Sequence, residues 1–182
     1  MSVRLKYLFL IGVLLVCQRT EAQLFAVNTD VAFDALAVPN IGFELGVGNK
    51  TSLAFNGMTS RRVLGEKIEG YALQAEYRYW LSGRPMHHHF VGIGAVALSY
   101  DTNWKSHIRD GNAIGAGITF GYVAALSSRW TLDFHAGFGI IVYKHKEYYQ
   151  GDHYADFTQA TNANGMWILP TRIGISLGYI LK

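Results

Sequence analysis

The sequence predicts an all-β chain: an eight-stranded antiparallel transmembrane β-barrel behind an N-terminal signal peptide. Three observations carry that expectation. Segments along the chain alternate large apolar residues with small or polar ones at period 2. Their connections alternate between tight turns and longer loops. No stretch after residue 22 reaches the roughly eighteen consecutive apolar residues of a helical span. A membrane protein without such helices has to close its sheet, because lipid cannot satisfy free backbone groups.

Residues 1–22 read as the signal peptide and 23–182 as the barrel. Arg4 and Lys6 precede the apolar run Tyr7–Val16, and polar Gln18-Arg-Thr-Glu leads to Ala22, a small residue before a plausible cut. The run is short of the ~20 residues that span a bilayer. Cys17 opens a lipoprotein reading, but Val16 stands where that signal uses Gly, Ala or Ser. Cleavage after Ala22 leaves a chain of about 160 residues, one domain, with no cysteine to oxidise. Three of the sixteen basic residues (Arg4, Lys6, Arg19) and one of the thirteen acidic (Glu21) lie in the leader, so 13 and 12 remain. The mature chain is near neutral and has no basic tract for nucleic acid. Twenty glycines, eleven tyrosines, ten phenylalanines and only three prolines suit aromatic, Gly-rich β-structure.

Taken in order, the strands fall at about 27–37, 40–48, 51–59, 70–81, 88–101, 111–126, 130–144 and 169–181. Asn49-Lys50, Ser127-Ser-Arg129 and Ser82–Met86 are short turns; about 60–69, 102–110 and 145–168 are the longer loops. An even strand number puts both termini on one side, with the short turns. Pro39-Asn40 is a short connection on the opposite side.

Each strand has a face. In the fourth, Tyr71, Leu73, Ala75, Tyr77 and Tyr79 oppose Gln74, Glu76, Arg78 and Trp80. In the sixth, Ile114, Ala116, Ile118, Phe120, Tyr122 and Ala124 oppose Gly115, Gly117, Thr119 and Gly121. In the seventh, Trp130, Leu132, Phe134, Phe138 and Ile140 oppose Thr131, Asp133, His135, Gly137 and Gly139. In the last, Ile173, Ile175, Leu177, Tyr179 and Leu181 oppose Arg172, Gly174, Ser176 and Gly178. Bulk looks outward and small or charged groups look inward, the reverse of a soluble barrel. The fifth strand, Phe90–Leu98, is apolar in both phases and its facing stays open. Tyr79, Trp130 and Tyr179 predict an aromatic girdle at one rim, and Tyr71, Tyr100 and Tyr143 a second at the other.

The C-terminal spacing Arg172, Gly174, Leu177, Tyr179 resembles the terminal assembly signal of bacterial outer-membrane barrels, with Ile180-Leu181-Lys182 added beyond it. Asn28–Glu44 and Glu76-Tyr-Arg-Tyr-Trp-Leu81 resemble marker motifs of a small outer-membrane β-barrel family of Gram-negative bacteria, catalogued as a domain of unknown function. The resemblance covers nearly the whole mature chain. It implies OmpA-type and OmpW-type architecture, an outer-membrane location with both mature termini periplasmic, and, since some members are encoded beside surface-fimbria genes, a fimbrial or other surface partner. It brings no functional residues with it, and fold does not settle function.

The inward charges Asp30, Asp34, Glu44, Glu76, Arg78, Asp133, His135 and Arg172 are expected to pair in the lumen, since an eight-stranded bore is just wide enough for side chains. A proton or ion path is the rival reading. No enzyme activity, cofactor or metal is expected. A lipid A deacylase needs His and Ser on the lipid face, whereas His135 and Ser176 take the lumen phase; an acyltransferase site could draw on Asp101, Ser106, His107 and Asp110, which solvated loops contain anyway. His87 and His89, or His145 and His153, offer too few ligands for a metal. A narrow conduit for small apolar molecules, as in OmpW-like barrels, is a further alternative, based on the fifth strand and the glycines of the sixth. The main expectation is a structural or surface-partner role through the loop at about 145–168, where Tyr148, Tyr149, Tyr154, Phe157 and Trp167 would bind.

Overall fold

Side chains alternate across a strand, so one sheet can present a different chemistry on each face. Here the sheet curls until its first and last strands meet. The computed structural model describes residues 24–63, 66–104, 107–149 and 163–181. In order these form β1 (Phe25–Asp30), α1 (Val31–Ala35), β2 (Asn40–Gly48), β3 (Thr51–Val63), β4 (Glu66–Trp80), β5 (His88–Trp104), β6 (His107–Ala125), β7 (Trp130–Tyr149) and β8 (Ala163–Ile180). Every strand is antiparallel to its sequence neighbours, and β1 pairs with β8 to close the barrel. The short turns at 49–50, 81–87 and 126–129 share one end with the start of β1 and the end of β8. At this turn end Gly83 takes a φ of 79°, a left-handed conformation that glycine adopts without strain.

The expected faces of β4, β6, β7 and β8 are observed: Leu73, Ile114, Phe138 and Ile173 are 62, 65, 59 and 64 % exposed, whereas Glu76 and Arg78 are 2 % and 1 % exposed. For β5 the ambiguity is resolved by pairing. Arg78 lies opposite Gly92 and Trp80 opposite Phe90, which turns Phe90, Gly92, Gly94, Val96 and Leu98 inward. At the turn end Trp130 and Tyr179 cluster, the two rings edge-on at 4.9 Å, with the Arg129 guanidinium 3.1 Å from the Tyr179 hydroxyl. The opposite girdle is corrected. Only Tyr71 points out; Tyr100 and Tyr143 share the parity of the inward residues Phe90 and Asp133 and turn into the lumen.

Two boundary expectations fail. The strands run further at the end opposite the turns, so most of 60–69 and 102–110 is paired strand, and β7 and β8 reach Tyr149 and Ala163. Their polar sequence reads as loop, yet a ladder in water tolerates polar side chains on both faces.

The first strand, by contrast, is shorter than expected. It stops at Asp30, whose carboxylate accepts from the backbone of Ala32 (3.0 Å) and Phe33 (3.3 Å) and caps α1. Asp34 is therefore not a lumen acid. It is exposed on α1 and accepts from Thr29 Oγ1 at 2.6 Å and Asn40 Nδ2 at 2.8 Å, tying the helix to the start of β2.

The helix ends with Val38 N–H bonded to Phe33 O (2.9 Å) and Ala37 N–H bonded to Asp34 O (3.0 Å). That double closure is a Schellman-type cap, and it puts Ala37 at φ 58°, a position that favours glycine. Ala37→Gly should therefore raise unfolding stability by about 1 kcal/mol, read as a higher urea midpoint with an unchanged slope. A lower midpoint would show that the left-handed conformation is not retained.

Candidate functional site

Inward residues of β1, β2, β4, β7 and β8 meet in the half of the lumen nearer the turns. Arg78 sits at the centre. Its Nη1 lies 2.9 Å from both Glu44 Oε2 and Asp133 Oδ2, its Nε lies 3.0 Å from Glu76 Oε2, and the Phe90 ring is 4.3 Å from the guanidinium carbon. Arg172 donates to the same Glu76 oxygen. Ser52 donates its hydroxyl proton to Glu44 and accepts from Trp80 Nε1 at 2.8 Å. His135 places Nε2 3.4 Å from Asp30 and Nδ1 3.4 Å from Asp133. Four buried carboxylates thus face two guanidiniums and one imidazole. On the turn side of this cluster, Ala26, Trp80, Met86, Phe90 and Val123 form an apolar layer.

Small residues make the approach possible. A Cβ on Gly174 would collide with the Asp30 carboxylate, and one on Gly121 with the Phe90 ring. Fully buried charges survive only when paired and hydrogen-bonded, and the planar guanidinium fork suits a site shared among several carboxylates. Such a cluster can hold strands in register and fill the bore.

Seven of the eight expected lumen charges come together; Asp34 does not. Sequence reasoning placed Trp80 on the inward phase but passed over Ser52 and Phe90 as its neighbours in the cluster. Their signal was parity: Ser52 and Gly92 lie directly opposite Arg78 on β3 and β5, and Phe90 is two residues from Gly92.

The expected binding residues are less gathered. Tyr148 and Tyr149 belong to β7, opposite Ile108 and His107 of β6, and Trp167 belongs to β8. Within the loop expected at 145–168, residues 145–149 and 163–168 are strand, and 150–162, with Tyr154 and Phe157, lie outside the described residues. Trp167 takes the inward phase beside Ile141, is 59 % exposed, and donates from Nε1 to the Tyr143 hydroxyl at 3.0 Å.

Other candidates stay apart. His87 lies in the turn and stacks on His88 with ring centroids 3.9 Å apart. His145 is buried at the opposite end, hydrogen-bonded through Nδ1 to the Tyr100 hydroxyl at 2.9 Å. Among the described residues no group of three or more His, Cys, Asp or Glu is arranged to hold a metal. His135 and Ser176 are both buried in the lumen, and Asp101 lies opposite Asp110 across β5 and β6.

Residues 8–181 match the model of a family described as a protein of unknown function, DUF3575. No curated protein and no solved structure matches the chain.

The shared oxygen of Glu76 makes the cluster cooperative. Arg172→Ala should cost about 3 kcal/mol of stability, the usual penalty for orphaning a buried charge, and Arg78→Ala should cost more, because three acids lose their partner. Combining Arg172→Ala with Glu76→Gln should cost less than the two single losses added together. Urea titrations of the four proteins check this, and strict additivity would refute the coupling.

Proposed function

The chain belongs to the DUF3575 family of proteins of unknown function, and we propose that it is an integral outer-membrane β-barrel of a Gram-negative bacterium, non-enzymatic, with a structural or surface-partner-binding role. One observation carries this reading: the polarity of the sheet is inverted. Ile41, Leu73, Ile93, Ile114, Phe138 and Ile173 stand 59–70 % exposed around the wall while Glu76 and Arg78 are enclosed. In water so extensive an apolar surface promotes aggregation, and in hydrocarbon it is the stable arrangement. The Arg129, Trp130 and Tyr179 cluster suits the headgroup level, and the leader and the C-terminal spacing suit export and assembly with both mature termini in the periplasm.

The lumen cluster supports a barrel sealed to ions and weighs against a through-going conduit for apolar molecules. His135 and Ser176 face the lumen and Asp101 lies opposite Asp110, an arrangement among the described residues that does not favour lipid A chemistry. Partner binding is assigned to Tyr148, Tyr149 and Trp167 at the ends of β7 and β8, and to Tyr154 and Phe157 in the sequence between those strands. Tyrosine and tryptophan bury large rigid area at interfaces. A fimbrial or other surface protein is the kind of partner this rim suits.

The protein should fractionate with outer membranes and migrate faster unheated than heated in detergent gels. Recovery as a soluble periplasmic protein would refute the reading. Planar bilayers should record no stable conductance. Deleting residues 150–162 should leave a heat-modifiable barrel while abolishing partner capture from intact membranes. A truncated barrel that keeps every partner would remove the rim from the binding role.

A further inference from the structure

The shortness of β1 leaves the barrel wall incomplete at the end opposite the turns. Its ladder with β8 runs only from Ala26–Ile180 to Asp30–Ser176, so β8 from Ala163 to Ile175 has β7 on one side and no strand on the other among the described residues. The ladder between β2 and β3 likewise ends at Asn40–Met58. Between these two edges lie α1, which packs on β8, and residues 36–39, from which Pro39 accepts a single backbone bond from Thr59. Among the described residues a helical turn, and not a strand ladder, closes this side.

Behind that turn is a cavity of about 260 Å3. Phe33, Leu36 and Val38 face it from the helical segment, and Met58, Ala72 and Leu98 from the opposite wall. Three of the hydroxyls at its edge are committed: Thr59 to Gly70 O (3.2 Å), Ser60 to Ile68 O (2.8 Å) and Tyr100 to His145 (2.9 Å); Glu69, Tyr71 and Ser99 also border the cavity, from the outward phase of β4 and β5. The inward lining, Met58, Ala72 and Leu98 with Phe33, Leu36 and Val38, therefore offers contact area mainly to an apolar occupant. Below it the inward positions turn polar, at Asn56 and Gln74, and then charged, so the cavity is blind toward the turn end.

The neighbouring edge is apolar on both faces. Met166 and Ile168 point out and Trp167 and Leu169 point in, yet all four are exposed, at 66, 76, 59 and 43 %. The inner face of β8 is accessible here, unlike the inner face of β4, where Gln74, Glu76, Arg78 and Trp80 are all buried. In a bilayer such an edge meets hydrocarbon.

We propose that this half of the lumen binds a single hydrocarbon chain, entering sideways between β8 and β3 past α1. The proposal rests on the membrane reading above. The occupant is an acyl chain, either the tail of a membrane lipid or a free fatty acid. The cavity lies near the lower end of ligand-pocket volumes, ~300 Å3, which suits part of one chain and excludes a bulky ring system.

The test uses the full mature protein in phosphatidylcholine vesicles, with two probes: a phosphatidylcholine carrying a photoreactive diazirine at one chain terminus, and palmitic acid carrying the same group. Flotation with the vesicles is read first. Protein that does not float refutes the membrane reading, and this proposal with it. In floating protein, cross-links on Met58, Leu98 or Phe33, in addition to the outer residues Leu73 and Ile93, are expected. Inward labelling by the lipid alone identifies a membrane tail, by palmitate alone a free fatty acid, and by both a site for either. Labelling confined to outward residues overturns the proposal while leaving the membrane reading intact.

Ala72→Phe should fill the cavity and abolish inward labelling without changing the outer pattern. Leu98→Trp does the same from the adjacent strand should Ala72→Phe fail to yield a heat-modifiable barrel. Undiminished labelling of Met58 in a folded filled variant refutes the pocket.

Discussion

Arg78 draws on three carboxylates that the chain delivers from three different strands: Glu44 of β2, Glu76 of β4 and Asp133 of β7. In a bore only wide enough for side chains, a carboxylate has little water to fall back on, so each acid must find this guanidinium or its neighbour Arg172. A slip of one residue in any of these strands would turn its acid to the apolar exterior and bring a large apolar residue into the lumen. The cluster therefore acts on register as much as on stability. Buried ion pairs often contribute little against apolar packing, but they penalise wrong pairings heavily.

The space around Arg78 depends on what its neighbours lack. Asp30 can reach His135 because Gly174 has no side chain to obstruct it, and Phe90 can lie beneath the guanidinium because Gly121 leaves room for its ring. Trp80 fills the layer nearer the turns and reaches back to Ser52, which holds Glu44. Charge, aromatic bulk and glycine are thus distributed over one interior surface so that volume and hydrogen bonding are satisfied together.

The lumen is consequently divided. Its turn half is filled by the charged cluster above an apolar layer. Its other half, beyond Asn56 and Gln74, is apolar around Met58, Ala72 and Leu98, carries Tyr100, Tyr143 and His145 toward its far end, and is bounded on one side by α1. Both halves meet at Asp30, whose carboxylate ends β1 by capping the helix and also faces His135. One side chain thereby sets where the strand ladder stops and where the charged cluster begins.

Much of this was legible in the sequence. Alternation at period 2 is a local property, so the all-β class, the strand number and the facing of β4, β6, β7 and β8 followed from residues such as Tyr77 beside Arg78 or Phe134 beside Asp133. Parity also determined that Glu44, Glu76, Asp133, His135 and Arg172 share the lumen. It equally implied that Tyr143 points inward with Asp133, an implication masked by the position of the ring near a strand end. What local pattern could not supply was partnership across strands. The facing of β5 depended on Gly92 lying opposite Arg78, since both of its phases are apolar. The strand extensions to Glu66, Tyr149 and Ala163 depended on a neighbour to complete each ladder, because a polar run alone reads the same in strand and loop. The end of β1 depended on Asp30 finding the Ala32 and Phe33 amides in preference to continued pairing. Those outcomes are competitions between contacts distant in sequence, and only the closed tertiary structure decides them.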